Sequence, residues 1–418
     1  MRPTASGGRR IWTKSRGPTS SCDSMKPSSR TGPSPIRSSE PGPTRSWPSR
    51  SRRASTAGTS GSRSPSTETA PSKRRCTPPI ESCTDTIPKT STPSSAPPCP
   101  AAVCAARSSG TCEARRDRLY AVEMRIALTG VSGFIGSYIA RRLSALGHQV
   151  TGLVRETSVR DHVEPFVDRF VVGNQDDESA WPAFLDGADC VVHNSYDFGR
   201  GDTDYQLRSG LLGSIRLLHA SAPRRFVFMS TIAVHHDMRP RWEGVIDEDH
   251  PLRPGSTYGA IKASVEAHLW AAHYSDGREA CALRPCGVYG IDRRLERSNG
   301  HPILASIAAG KAFRRAGGGK FVHVEDVAEA TVAAVTRDDT VGRAFNLVDC
   351  YARWSDWARM AAEVLGVEAD IDASSPAQAR NRFDVAATRA IGVGLDRGLD
   401  GIRRHLADLA AEMGLTSM

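Results

Sequence analysis

The sequence predicts an α/β protein built on a doubly wound parallel sheet, with a smaller C-terminal lobe and a disordered N-terminal tail. Three observations carry that reading. An apolar run at 126–128 enters the glycine turn Thr129-Gly130-Val131-Ser132-Gly133-Phe134-Ile135-Gly136, and helical spacing follows at Ile135, Ile139, Leu143 and Leu146. From 149 to 229 short apolar runs alternate with helix-length segments, the order that crossover-connected parallel strands require. The chain also changes composition abruptly at Met124.

The tail, 1–123, is rich in Ser, Pro, Arg and Thr without period, as in Ser49-Arg50-Ser51-Arg52-Arg53, and has too few aliphatic residues to offset the entropy of ordering it. It holds 17 of the 26 prolines and 6 of the 10 cysteines in a chain of 418 residues. It also holds 21 of the 55 Lys plus Arg but only 8 of the 46 Asp plus Glu, so the formal +9 divides into +13 for the tail and −4 for the remainder. The part expected to fold therefore lacks the basic excess of a nucleic-acid binder. Three readings of the tail compete: an organelle transit peptide, a basic arm for RNA or an acidic surface, and upstream sequence outside the native coding region, with translation starting at Met124. The abruptness of the boundary favours the last.

No apolar run approaches the roughly 18 residues of a membrane span. The longest in the tail, 101–106, is too short and badly placed for a secretory signal, so a cytoplasmic protein without membrane contact is expected. Cys190, Cys281, Cys286 and Cys350 show no metal-ligand spacing and read as buried small apolar residues.

A strand, a glycine turn and a helix in that order form a cradle for a dinucleotide phosphate. Glycine permits the sharp turn and close backbone approach, and the helix start offers unpaired N–H groups to a pyrophosphate. The cradle residues are Gly130, Gly133, Phe134, Ile135 and Gly136. A second strand over 149–154 ends at Arg155, 19 positions after Gly136. An acid at this place bonds a free ribose 2′-hydroxyl, whereas arginine pairs a 2′-phosphate. Arg155 therefore tilts the cofactor toward NADP, with NAD and a merely solvated arginine as the alternatives.

Strands follow at 169–172, 190–193 and 225–229, with helices at 177–185 and 205–220 between them. In such a sheet ligands sit at the C-terminal strand edges, where Ser230 and Thr231 fall. The helix running from about 258 to 274 carries Tyr258 and Lys262 four residues apart, hence on one face. An ammonium beside a phenol favours the phenolate, and a tyrosine so tuned can pass a proton to or from a carbonyl or alcohol oxygen. Farther on, 292–320 reads as a loop bearing Arg293, Arg294, Arg297, Arg314 and Arg315, either an anion-binding lid or a solvated charge cluster. Residues 321–326 read as a strand entering a helix capped by Asp326, 344–348 as a strand, and the chain from about 354 as amphipathic helices.

Five ordered motifs, TGVSGFIG at 129–136, MSTIAV at 229–234, YGAIK at 258–262, RPCGVYG at 284–290 and FVHVEDVA at 321–328, resemble the extended short-chain dehydrogenase/reductases, also called the NAD-dependent epimerase/dehydratase superfamily. The resemblance covers 124 to about 409. It implies a Rossmann domain over 124–284 to which 321–349 returns, and a substrate lobe from 285–320 and 350–418. It also implies a triad of Thr231, Tyr258 and Lys262. Thr231 would bond the reacting oxygen, Tyr258 would transfer its proton, and Lys262 would hold the nicotinamide ribose and lower the tyrosine pKa. Tyr258 and Lys262 thus join Arg155 and the cradle among the cofactor contacts, the partner is a small-molecule substrate, and a homodimer is a family expectation.

Departures from the family pattern narrow the chemistry. Ile232-Ala233 stand where sugar-nucleotide dehydratases carry Asp-Glu, and Gly287 where epimerases often carry a sugar-binding asparagine. Gly173-Asn174 replaces a frequent Gly-Asp, Gly210 an active-site asparagine, and His235 a common tyrosine. With Leu153-Val154-Arg155, the pattern is most similar to carbonyl reductases of the dihydroflavonol-reductase type. The expected activity is NAD(P)-dependent hydride transfer to or from a carbonyl or secondary alcohol; a sugar epimerase and a non-catalytic nucleotide sensor are the alternatives.

Overall fold

The computed structural model describes residues 123–198, 202–235 and 244–415. The tail reading, 1–122, lies outside the described residues. Seven parallel strands form the main sheet: β1 (Arg125–Thr129), β2 (Gln149–Val154), β3 (Arg169–Val172), β4 (Cys190–His193), β5 (Arg225–Met229), β7 (Ala280–Pro285) and β10 (Arg343–Leu347), in the order β10-β7-β5-β4-β1-β2-β3. The chain winds outward from β1 to β3, returns once to β4 beside β1 and winds outward the other way to β10, which makes the sheet doubly wound.

Period-two alternation explains why both faces are covered. Ile126 and Leu128 of β1 face one core while Ala127 faces the other; Val227 and Met229 of β5 oppose Phe226 and Phe228; Cys281 and Leu283 of β7 oppose Ala280 and Ala282. On the first face lie α1 (Phe134–Ala145) and α6 (Val324–Thr336), through Ile139, Leu143, Val327 and Val332. On the second lie α2 (Trp181–Leu185), α3 and α4 (Thr257–Asp276), through Phe184, Leu217, Val265 and Leu269. Here α3 is one helical stretch of Thr203–Tyr205, a π-helical Gln206–Gly213 and Ser214–Ala220.

Beyond β7 the chain passes at once into β8 (Gly287–Tyr289), which pairs in parallel with β9 (Gly318–His323); β11 (Cys350–Arg353) adds antiparallel to β9. Helices α5 (His301–Ala308), α7 (Trp354–Leu365) and α9 (Gly398–Glu412) close a third core around Tyr289, Trp357, Ile402 and Leu406. Strands β6 (Val245–Ile246) and β12 (Arg382–Phe383) pair separately, and α8 (Ala386–Ala390) follows. Among the described residues no helix is long and apolar enough to cross a membrane.

Three local expectations need correction. The helix expected over 177–185 begins only at Trp181, because the Asp177 Oδ1 accepts from Ser179 N (3.1 Å) and Ser179 Oγ (2.6 Å) and holds an Asx turn instead. The stretch read as a loop, 292–320, contains α5, whose Ile303, Leu304 and Ile307 are buried. Arg314 pairs with Asp370 there and the Arg315 guanidinium lies 3.6 Å from the Trp354 ring centre, so neither arginine belongs to an open lid. Asp326 does not cap α6. The His323 Nδ1 accepts from Glu325 N at 3.3 Å, while Asp326 pairs with Arg397 at 2.9 Å.

The approach of α1 to the turn before it depends on one missing methyl group. A Cβ on Gly136 would lie 2.0 Å from the Gly130 carbonyl oxygen and 2.9 Å from Val131 Cα, both backbone atoms that cannot swing aside. Gly136→Ala is therefore expected to lower stability by about 1–3 kcal/mol or more. A reduced urea midpoint would register this; an unchanged one would show that the turn yields without strain.

Candidate active site

The C-terminal ends of the parallel strands bring every sequence-predicted residue to one edge of the sheet. Gly130 turns the chain with φ of +69°, its carbonyl accepts from Gly133 N at 3.0 Å, and Gly133 stands at the start of α1 without a side-chain cap. The first N–H groups of α1, at Phe134, Ile135 and Gly136, thus have no capping side chain, and the helix dipole adds positive potential there. A Cβ on Gly133 or Gly136 would come within 3.2 or 2.0 Å of the Gly130 carbonyl oxygen, so only glycine lets the turn close onto the helix start, whose uncapped N–H groups fit a pyrophosphate.

Thr129 joins the neighbouring strand to this cradle. Its Oγ1 accepts from the backbone N–H of Asn194 and Ser195, each at 3.1 Å, and bonds His193 Nδ1 at 2.9 Å. The His193 Nε2 reaches Ser214 Oγ at 2.8 Å. Burial pushes this imidazole down to about 3, so it is a neutral strut.

Three consecutive residues at the end of β5 are gripped by three successive turns of α4. Tyr258 stands beside Thr231; the Lys262 ammonium donates to the Met229 carbonyl at 2.6 Å; and the Ser230 hydroxyl donates to Glu266. The helix presents these side chains at i, i+4 and i+8, one face of a helix that the Ser256 hydroxyl starts by accepting from Gly259 N at 3.1 Å. Glu266 is fully buried and forms a 2.7 Å ion pair with buried Arg284, whose Nη1 also donates to the Glu248 carbonyl at 2.8 Å and lies 3.2 Å from His235 Nε2. Sequence reasoning placed Ser230 at the strand edge without a partner and Arg284 only within a motif, and it passed over Glu266; the acid four residues beyond Lys262 was the available signal.

The electrostatics differ from the expectation. Burial drives the Tyr258 phenol up to about 12, only partly opposed by the Thr231 hydrogen bond. Burial likewise drives Lys262, 3% exposed, down to about 7, with Glu266 opposing the loss of charge. A lysine so desolvated, and bonded to a carbonyl, does not hold the phenol as phenolate in this structure.

An aromatic wall stands beside the phenol. The Tyr196 and Phe198 ring centres lie 4.8 and 5.1 Å from that of Tyr258, and Phe198 is 68% exposed. Gly210 leaves room for this wall, since a Cβ there would come within 3.2 Å of the Tyr196 ring. Between the two rings in sequence, Asp197 pairs with Arg155 at 2.9 Å.

The profile of the family described as NAD dependent epimerase/dehydratase matches residues 126–347. A 4-hydroxy-2-methyl-3-oxo-4-farnesyl-3,4-dihydroquinoline-1-oxide ketoreductase from Stigmatella aurantiaca is 30% identical over 224 residues, which cover 51% of this chain and 65% of that protein. A UDP-glucose 4-epimerase from Mycolicibacterium smegmatis is 28% identical over 234 residues, covering 50% of this chain and 73% of that one. For the ketoreductase and two further curated relatives the match spans 65%, 54% and 52% of their own length. Among solved structures, a short-chain dehydrogenase/reductase superfamily protein from Agrobacterium tumefaciens with bound NAD aligns with a TM-score of 0.58 at 22% identity, over 69% of this chain and 98% of that one, a likeness of fold.

Two measurements test the buried contacts. Glu266→Ala leaves the Arg284 guanidinium buried without its carboxylate and is expected to cost about 3–5 kcal/mol of stability by denaturant titration. Lys262 is protonated up to about 7 when folded but to its ordinary 10.5 when unfolded, so the unfolded chain binds more protons between those values. Wild type should therefore gain stability relative to Lys262→Met as pH rises from 7 toward 10.5. A pH-independent difference would show that the buried ammonium carries no penalty.

Proposed function

The chain belongs to the NAD dependent epimerase/dehydratase family, and from that premise we propose that it is an NAD(P)-dependent oxidoreductase acting on a ketone or secondary alcohol. The observation that carries the proposal is the seating of the α4 face against the end of β5, where the buried Lys262 ammonium donates to the Met229 carbonyl at 2.6 Å and Tyr258, one turn earlier, stands beside Thr231.

When bound, the nicotinamide ring supplies or takes the hydride at the substrate carbon. The chain supplies the proton and the geometry. Thr231, whose Oγ1 accepts from Ala233 N at 3.2 Å, offers a hydroxyl to the reacting oxygen, and Tyr258 gives its proton to that oxygen during reduction or takes it during oxidation. With its pKa raised to about 12, Tyr258 remains a protonated donor at neutral pH. Lys262 would hold the nicotinamide ribose, while the cradle from Gly130 to Gly136 would hold the pyrophosphate. Arg155, at the end of β2, supports NADP over NAD. The four cysteines are free thiols among the described residues, which supports a reducing, cytoplasmic setting.

The rings of Tyr196 and Phe198 support an apolar carbonyl compound over a sugar nucleotide, because aromatic contact area, with a single phenol hydroxyl, dominates this wall. Sugar epimerisation is the second reading, and the UDP-glucose 4-epimerase relative supports it.

A panel of ketones, aldehydes and UDP-sugars, run with NADH and NADPH, tests the proposal by cofactor absorbance. A reductase consumes reduced cofactor stoichiometrically with one of the carbonyl compounds; conversion of a UDP-sugar without net consumption would establish the epimerase instead. Tyr258→Phe should retain cofactor binding and lose at least about 100-fold in turnover, the scale of a positioned proton donor. Undiminished turnover in that variant would refute the assigned chemistry.

A further inference from the structure

One charged contact at the mouth of the site plays no part in the proton chemistry, and its position is unusual. Arg155 follows directly on β2, Asp197 lies four residues beyond the end of β4, and β1 stands between those two strands in the sheet. The pair joining them, Arg155 Nη1 to Asp197 Oδ2 at 2.9 Å, therefore bridges the flanks of the strand that runs into the glycine cradle. The two partners are held unequally. The Asp197 side chain is 21% exposed against 55% for Arg155. The Tyr205 hydroxyl also reaches the Asp197 Oδ2, at 3.5 Å, and the flanking Tyr196 and Phe198 rings pack on Tyr258. Asp197 is thus anchored by its surroundings, and the long arginine comes to it.

We infer that Asp197 is an internal competitor for the 2′-phosphate of NADP at Arg155, so that cofactor selectivity is set by the pair and not by the arginine alone. The inference rests on the reading of Arg155 as the 2′-phosphate partner. A guanidinium binds a carboxylate and a phosphate through the same planar set of N–H donors, so the two anions exclude each other from one face of it. NADP entering the cradle must draw Arg155 from Asp197, and its phosphate must then lie near a retained carboxylate. NAD presents a neutral 2′-hydroxyl and requires no such exchange. The arrangement holds down affinity for the phosphorylated cofactor while leaving the other untouched, which narrows the discrimination an arginine at this position would otherwise give.

Dissociation constants for NADPH and NADH, from fluorescence titration of the full chain without substrate, test this in wild type, Asp197→Asn, Arg155→Ala and the double variant. Asp197→Asn is expected to tighten NADPH by roughly two- to five-fold, the range that exposed ion pairs span, and to leave NADH unchanged. In the Arg155→Ala background the same substitution should give no gain, because the competition acts through the guanidinium. A gain that persists without Arg155 would mean that Asp197 acts only as a distant negative charge, and no gain in either background would mean that the pair does not compete; either overturns the inference while leaving the Arg155 reading intact. NADPH binding unaffected by Arg155→Ala would overturn both. Circular dichroism melts of the four proteins establish that each is folded.

Discussion

The buried ion pair between Glu266 and Arg284, with the Ser230 hydroxyl on the same carboxylate, sets the register of α4 against β5 and β7, and the placement of Tyr258 and Lys262 depends on that register. Taking both charges out of water is costly, and the cost is met only when donor and acceptor fall opposite each other. Sliding α4 by one turn would move its side chains by about 5.4 Å and unpair a fully buried carboxylate. The helix is thereby pinned at a point two turns beyond Tyr258, deep in the protein, while the phenol itself stays at the sheet edge. The buried charge that fixes the helix and the phenol at its start are separate groups on a single face.

Much of this was legible in the sequence because it rests on short-range rules. The turn from Gly130 to Gly136 announces itself by residue type, since only the absence of a Cβ permits the 2.0 Å approach at Gly136. Tyr258 and Lys262 share a face by spacing alone, and Thr231 falls at a strand end by counting. The fold class followed from alternation, and the seven-stranded sheet bears it out. What was missed is long-range. Arg284 lies 18 residues from Glu266, Asp197 lies 42 from Arg155, and Arg397 lies 71 from Asp326. No local pattern announces such partners. Asp326 looked like a cap because it opens a helix, yet a distant arginine claimed its carboxylate. The tyrosine's acidity was misjudged for the same reason, as burial by Tyr196 and Phe198 is a tertiary fact.

The third core is tied to the helices on the sheet's first face through the same Arg397, which stands just before α9 and spans Glu325 and Asp326 at the start of α6. Since α6 packs beside α1, whose N-terminus forms the cradle, the third core and the cradle share a support. His323 and Tyr289 lie at this junction with ring centres 5.0 Å apart, joining the end of β9 to the third core.

The segment that follows β4 is secured by its main chain. The N–H groups of Asn194 and Ser195 both go to Thr129 Oγ1, so the anchor makes no demand on the side chains of the next three residues. Tyr196, Asp197 and Phe198 can consequently be exchanged while the scaffold keeps its hold on the backbone. Here the molecule separates backbone from side chain: a fixed peg holds the stretch of main chain, while the three side chains it carries decide how deeply Tyr258 is covered and what Arg155 pairs with.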